Sequence, residues 1–221
     1  MINCEAVEIN CYSFSELFKV HDKPGVYAWY LMPSLSKADL NGTKDYSSFT
    51  EAVYSYMKAH HHPELTVGIE SNFMANWSEK VQEKSHAGWK QSINKIPSKD
   101  NLFETDEGKN IFLELFKSSI PYLASPLYIG TSDNLNRRVN EHKSELNTFH
   151  KVRTTNASIV NELNNQDLKS FAQRVVKRKI QPRNLILWTA TIKSDVGNAD
   201  KIAESIEWIL NRCHSPKLGV R

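Results

Sequence analysis

The sequence predicts a mixed α/β protein: a small central sheet flanked by helices, with a mostly helical insertion. Three observations predict it. Apolar, β-branched and aromatic runs at 25–31, 126–130 and 184–192 read as strands. Roughly 90 residues of helical periodicity separate the first two runs. The length, 221 residues, suits one domain of ordinary size carrying a substantial insertion.

Gly25 to Leu31 is launched from Lys23-Pro24 and stopped at Pro33, which bounds a strand on both sides. Pro126 to Gly130 is a second, shorter strand. Ser132, Asp133 and Asn134 then offer helix-capping side chains, and the helix runs through about Lys143 to Leu146. Asn184 to Ile192 is nearly all apolar or β-branched, the pattern of a central strand covered on both faces. Ala199 to Cys213 is a final helix, ending before Pro216. Within the insertion, Ser47 caps a helix carrying Phe49, Val53, Tyr56 and Met57. Asn76 or Ser78 starts another with Trp77, Val81 and Trp89, and Thr105 caps a third with Phe112, Leu115 and Phe116. A helical pair, about 157–164 and 167–179, precedes the third strand. The organisation is therefore 1–32, an N-terminal segment with the first strand; 33–125, the helical insertion; and 126–221, the remainder of the core.

Composition excludes several classes. At 40% hydrophobic and 24% charged residues the chain is neither disordered nor collagen-like. It has no apolar stretch near the length of a membrane span and no secretory leader pattern, so a cytoplasmic location without membrane partners is expected. Cys4, Cys11 and Cys213 show no CxxC spacing and read as reduced thiols. The net charge of +3 hides a division. Residues 1–132 hold 12 Lys, no Arg and 16 acids, a balance of −4; residues 133–221 hold 8 Lys, 8 Arg and 9 acids, a balance of +7. Arginine is suited to bidentate phosphate contacts, so the basic C-terminal portion points to a polyanion.

Gly25-Val26-Tyr27, then Tyr128-Ile129-Gly130 followed by Asn134-Leu135 and Arg138, resembles the GIY-YIG nuclease family. His142 stands four beyond the arginine, where several members carry histidine. Glu207, with Leu210 three residues on and Pro216 nine on, matches the family's metal-binding glutamate. Two positions depart from the pattern. Thr131 stands where many members have Lys or Gln, and Gly219 where many have Asn.

Helical periodicity indicates which of these side chains face the sheet. Counting from Leu135, Arg138 falls at about −60° and His142 at about −20°, beside Val139 and Leu146, while Arg137 falls at about 200° on the far face. An arginine bordering a buried face needs an anion, from a carboxylate or a phosphate. His142 reads either as a hydrogen-bonded core histidine or as a proton relay. In the last helix the stripe Ile202, Ile206, Ile209, Cys213, flanked by Ala203 and Leu210, sets the buried face; Glu207 lies about 100° from its centre and Glu204 about 160°. Glu207 thus borders the core, as a metal ligand or a plain helix glutamate, and Trp208 falls near the solvent side. His60, His61 and His62 diverge on a helix end and make a poor metal site.

The resemblance implies a metal-dependent DNA endonuclease, of the restriction, mobile-element or phage-conflict kind. It implies Mg²⁺ on Glu207, with Mn²⁺ able to substitute. Arg138 would offset charge on the phosphorus, Tyr27 would activate or orient water, Tyr128 would support it and His142 would relay the proton. Arg137 reads as a solvated or DNA-backbone charge. The run from Lys169 to Arg183, with Arg174, Lys177, Arg178 and Lys179, reads as an amphipathic helix. Phe171, Val175, Val176 and Ile180 would face inward and the cations outward to the DNA backbone. The acidic insertion suits a protein partner or self-association. The alternative is a catalytically inert nucleic-acid-binding or protein-interaction module on the same fold.

Overall fold

A computed structural model describes residues 6–40, 49, 51–53, 56, 105–155, 170–193, 197–214, 216 and 218. They form a mixed α/β protein. In chain order the elements are β1 (Val7–Ser13), a 3-10 turn (Phe14–Lys19), β2 (Gly25–Leu31), α1 (Lys37–Leu40), α2 (Asp106–Leu123), β3 (Tyr128–Ser132), α3 (Leu135–Thr155) and α4 (Phe171–Lys177). A short 3-10 turn (Pro182–Asn184), β4 (Leu185–Ile192) and α5 (Ala199–His214) follow. The chain divides into two compact units, one of 1–32 with 120–221 and one of 33–119.

The first unit holds a four-stranded antiparallel sheet in the order β1-β4-β2-β3. Every residue of β2 is buried, as the unbroken apolar run GVYAWYL requires of an inner strand. β4 is central, but it is buried without interruption only over Leu185–Leu187; beyond that buried and half-buried residues alternate. The coverage of both faces expected for all of 184–192 is thus limited to its first residues. The strand β1 is an addition to the sequence reading. Its segment VEINCYS mixes polar and apolar residues because it is an edge strand with one neighbour, and Glu8 on it pairs with Lys193 at 3.8 Å and His21 at 3.5 Å. Charge on an edge discourages pairing with another chain.

The helices differ from expectation at their ends. α3 continues to Thr155, well past Leu146. Its start is capped by Asn134, whose side chain accepts from the Arg137 N–H at 2.9 Å. α4 begins later than the expected 167, at a capping box formed by Ser170 and Gln173. It also ends sooner: Lys179 takes a left-handed φ of 60°, the Ile180 N–H donates to Val175 O at 3.2 Å and the Lys179 N–H to Val176 O at 3.0 Å. This is a Schellman ending with lysine where glycine is usual, so no continuous amphipathic helix reaches Arg183.

α5 turns a different face to the sheet from the one its large apolar residues mark. It packs on β3 and β2 with Ala199 and Ala203 buried and Glu207 and Leu210 half-buried. Ile202, Ile206 and Ile209 are 47%, 43% and 48% exposed, and Cys213 is exposed. Small residues let the helix approach the strands closely, and that contact overrides the bulkier stripe.

In the second unit Leu35, Leu40, Phe49 and Leu113 form a buried cluster, against which Ala52, Val53, Phe112 and Phe116 pack. Thr105 caps α2, accepting from the Gly108 N–H at 3.0 Å. The helix expected around Asn76 to Trp89, the residues His60 to His62, Cys4, and the first of the expected pair at 157–164 lie outside the described residues. No helix among the described residues is long and apolar enough to cross a membrane.

Candidate active site

β2 and β3 pair so that Tyr27 stands opposite Gly130 and Trp29 opposite Tyr128. Directly paired residues share a face, which places both tyrosines on one side of the sheet. Glycine is needed at 130 because a Cβ there would lie 2.7 Å from the Tyr27 Cζ and hydroxyl and 2.8 Å from Tyr128 Cε1. The Tyr27 ring lies across the space a side chain would occupy. Thr131 turns its hydroxyl to Gly25 O at 3.0 Å, serving the sheet itself.

The first turn of α3 is pinned to the lead-in of β2. The Leu135 N–H donates to Lys23 O at 3.0 Å and the Asn136 side chain to Val20 O at 2.6 Å. With Leu135, Val139 and Leu146 buried, the same helix face carries His142 inward and holds Arg138 at its margin, as the periodicity predicts.

The result is a polar and aromatic cluster. Tyr27 and His142 share a 2.8 Å hydrogen bond between the phenol oxygen and Nε2. Ring centroids are 6.0 Å apart for Tyr27 and Tyr128, and 5.8 Å for Tyr128 and His142. Arg138 donates to Glu141 at 2.8 Å, and its charge acts on the Tyr27 phenol. Phe171 on α4 closes the cluster, 5.2 Å from Tyr128 and 5.5 Å from His142, and stacks on Trp29 at 5.7 Å.

The electrostatics follow from burial. His142 is 3% exposed; burial first, then the Arg138 charge, hold its pKa down to about 4, so the imidazole is neutral at pH 7. Its Nδ1 is buried and meets no hydrogen-bond partner among the described residues, which adds to the cost of an imidazolium. Burial, reinforced by Tyr128, lifts the Tyr27 phenol far above the ordinary tyrosine value, with Arg138 offsetting part of the rise. Burial opposes the Arg138 charge, but its hydrogen bonds to Glu141 and Tyr27 outweigh that and raise its pKa.

Glu207 stands on the sheet side of α5 and is half-buried, whereas Glu204 is exposed. Burial raises the Glu207 pKa; a 3.4 Å hydrogen bond from the Asn211 amide opposes the rise, and Glu204 adds to it. Tyr27, Tyr128, Arg138 and His142 are thus brought together, while the hydrogen bond observed at Glu207 is to its own helix. Asn211 had no signal in sequence beyond its spacing of four from Glu207.

The proposed DNA-contacting cations are spread out. Arg137 is exposed and bridges Asp133 at 2.9 Å. Arg174, expected outward, is half-buried with its Nε shielded from solvent, because it follows Phe171 by one turn on a helix docked into the cluster. Lys177 and Arg178 are half-buried too, at the helix end, while Lys179 and Arg183 are exposed. Lys169 and Gly219 lie outside the described residues. Trp208 is 58% exposed, with the Arg212 guanidinium 3.4 Å from its ring centroid.

The fold and site thus define an α/β protein with a buried Tyr-His pair and a bordering arginine on an antiparallel sheet. Comparison with protein-family models, curated proteins and solved structures finds no match for the chain.

Proposed function

We propose that the chain is a Mg²⁺-dependent DNA endonuclease of the GIY-YIG type. The observation that carries this reading is the 2.8 Å bond between the Tyr27 hydroxyl and the neutral His142, with the Arg138 charge acting on the same phenol. A phenol by itself is a poor base at pH 7. Here the Tyr27 oxygen takes the proton of the attacking water as its own proton passes to His142 Nε2, given the Nδ1-protonated tautomer. Arg138, at the margin of the cluster and 40% exposed, exchanges Glu141 for the scissile phosphate and offsets charge developing there. Tyr128 and Gly130 fix the direction of the Tyr27 ring.

Glu207 fits a hard divalent cation that keeps several aqua ligands: a half-buried carboxylate whose pKa burial has raised gains from a compensating positive charge. Glu207 would hold Mg²⁺ or Mn²⁺, and the ion would supply Lewis acidity to the scissile phosphate. The products are a 5′-phosphate and a 3′-hydroxyl. The residues 33–125 supply a surface for a protein partner or self-association, and the chain works in the cytoplasm on DNA of a restriction, mobile-element or phage-conflict system.

The test is incubation of supercoiled, linear, branched and single-stranded DNA, and RNA, with wild type, Glu207→Ala and Tyr27→Phe in Mg²⁺ or Mn²⁺. Cleavage by wild type alone supports the reading; no cleavage of any substrate, or equal cleavage by all three proteins, sinks it. The rival reading, an inert binding module on the same fold, draws on the Glu207–Asn211 bond, which engages the carboxylate within its own helix. DNA binding without cleavage would favour it.

A further inference from the structure

Two helices leave an apolar stripe in solvent. On α5 it is Ile202, Ile206 and Ile209, displaced from the sheet by Ala199 and Ala203. On α2 it is Ile111, Leu115 and Tyr122, 57%, 69% and 74% exposed. Each stripe has a charged border on one side and the packed side of its helix on the other. Counted from Ile202, Arg212 and Lys201 fall at about −80° and −100°, and the buried Ala203 at about +100°. Counted from Ile111, Glu107 and Glu114 fall at about −40° and −60°, and Phe112, packed on the core of its own unit, at about +100°. All four charged residues are exposed. Arg212 also lies over the exposed Trp208, so the basic border carries two of the residue types enriched at contact hot spots.

The border lies on the same hand of both stripes, basic on α5 and acidic on α2. Two helices packed stripe to stripe bring like-handed borders together only when they run antiparallel, and flanking charges then set partner and orientation. One such contact, with stripes on the order of 300 Å² each, buries about 600 Å², too little for a stable interface; made twice it reaches about 1,200 Å², the lower bound for one. We infer that α5 of one copy docks antiparallel on α2 of a second copy, twice across a two-fold axis, closing a dimer. In that orientation Ile202 faces Leu115, Ile206 faces Ile111 and Ile209 sits over Gly108, while Arg212 and Lys201 each stand about half a turn from Glu107 and Glu114. The inference gives self-association through the insertion a named surface and needs none of the nuclease chemistry, which the cleavage assay tests separately.

The test uses the full chain in sedimentation-velocity runs from about 1 to 100 μM, the range in which a contact of this size exchanges. Wild type is expected to pass from monomer to dimer. Lys201→Glu with Arg212→Glu makes both borders acidic; Glu107→Lys with Glu114→Lys makes both basic. Each doubly reversed protein should self-associate about 100-fold more weakly, since like charges then meet at both contacts. Mixed in equal amounts, the two should form a heterodimer about as tight as the wild-type dimer, because each contact again joins opposite charges. The restored dimer also shows that both variants fold. Persistence of the wild-type dimer in either variant overturns the inference, as does a pair, folded by circular dichroism, that fails to associate on mixing. A wild type monomeric throughout also overturns it and leaves the stripes to partners of other chemistry. Wild-type cleavage keeps the nuclease reading standing in every one of these cases.

Discussion

Replacing His142 with a residue that does not titrate removes one defined source of pH dependence from the stability of the protein. In the unfolded chain the imidazole titrates near its ordinary 6.5; folded, it titrates at about 4. Between those values the unfolded state holds more protons, so stability rises with pH. It is complete above about 6.5 and falls as pH drops through the window toward about 4. At about 1.4 kcal/mol for each pH unit, the loss attributable to His142 is about 3 kcal/mol. Little screening reduces it, because the side chain is 3% exposed. Urea denaturation of wild type and His142→Gln at pH 7, 6, 5 and 4 measures it. The difference between the two proteins should shift by about 3 kcal/mol in favour of the variant on going from pH 7 to 4, since other titrating groups cancel. Parallel profiles, with a difference constant to about 0.5 kcal/mol, would refute the account of a desolvated neutral imidazole.

Two further substitutions probe the backbone beneath and beside the cluster. Gly130→Ala places a methyl 2.7 Å from the Tyr27 hydroxyl and should cost about 2 to 3 kcal/mol in chemical denaturation, within the range for overpacking. It should also expose the displaced tyrosine to solvent in fluorescence quenching; a stability change under about 0.5 kcal/mol would contradict the close approach. Lys179→Gly relieves a left-handed φ at the end of α4 and should stabilise the protein by about 0.5 to 1 kcal/mol, read as a raised denaturation midpoint at unchanged slope.

What the sequence reveals depends on how each element is covered. β2 is legible because an inner strand wrapped on both sides is apolar at every position, and GVYAWYL is so without exception. β1 is not, because this edge strand leaves apolar Ile9 and Cys11 in solvent while Glu8 and Asn10 are half-buried on the face that carries Tyr12 inward, the reverse of the pattern hydropathy looks for. The inward direction of His142 on α3 follows from the regular stripe of Leu135, Val139 and Leu146. The same arithmetic misleads on α5, where the contact with β2 and β3 selects small residues, Ala199 and Ala203, over isoleucines. Periodicity weighs bulk, and a close helix-to-sheet contact selects for its absence. Arg174 is misplaced by sequence for a related reason: a charge run says nothing about which member lies over a docked aromatic such as Phe171.

The strand order has a kinetic consequence. Val7 pairs with Ile192, Gly25 with both Ser132 and Thr191, and no neighbouring pair in the sheet is a local hairpin. Each pairing must close a loop of about 100 residues or more, which penalises early strand association entropically and slows folding. The middle strand, β4, is also the last to leave the ribosome. Until it does, the wholly apolar β2 has no central neighbour to cover it. Refolding of this chain should accordingly be slow and concentration-sensitive, and stopped-flow kinetics showing a sub-millisecond single phase would contradict that.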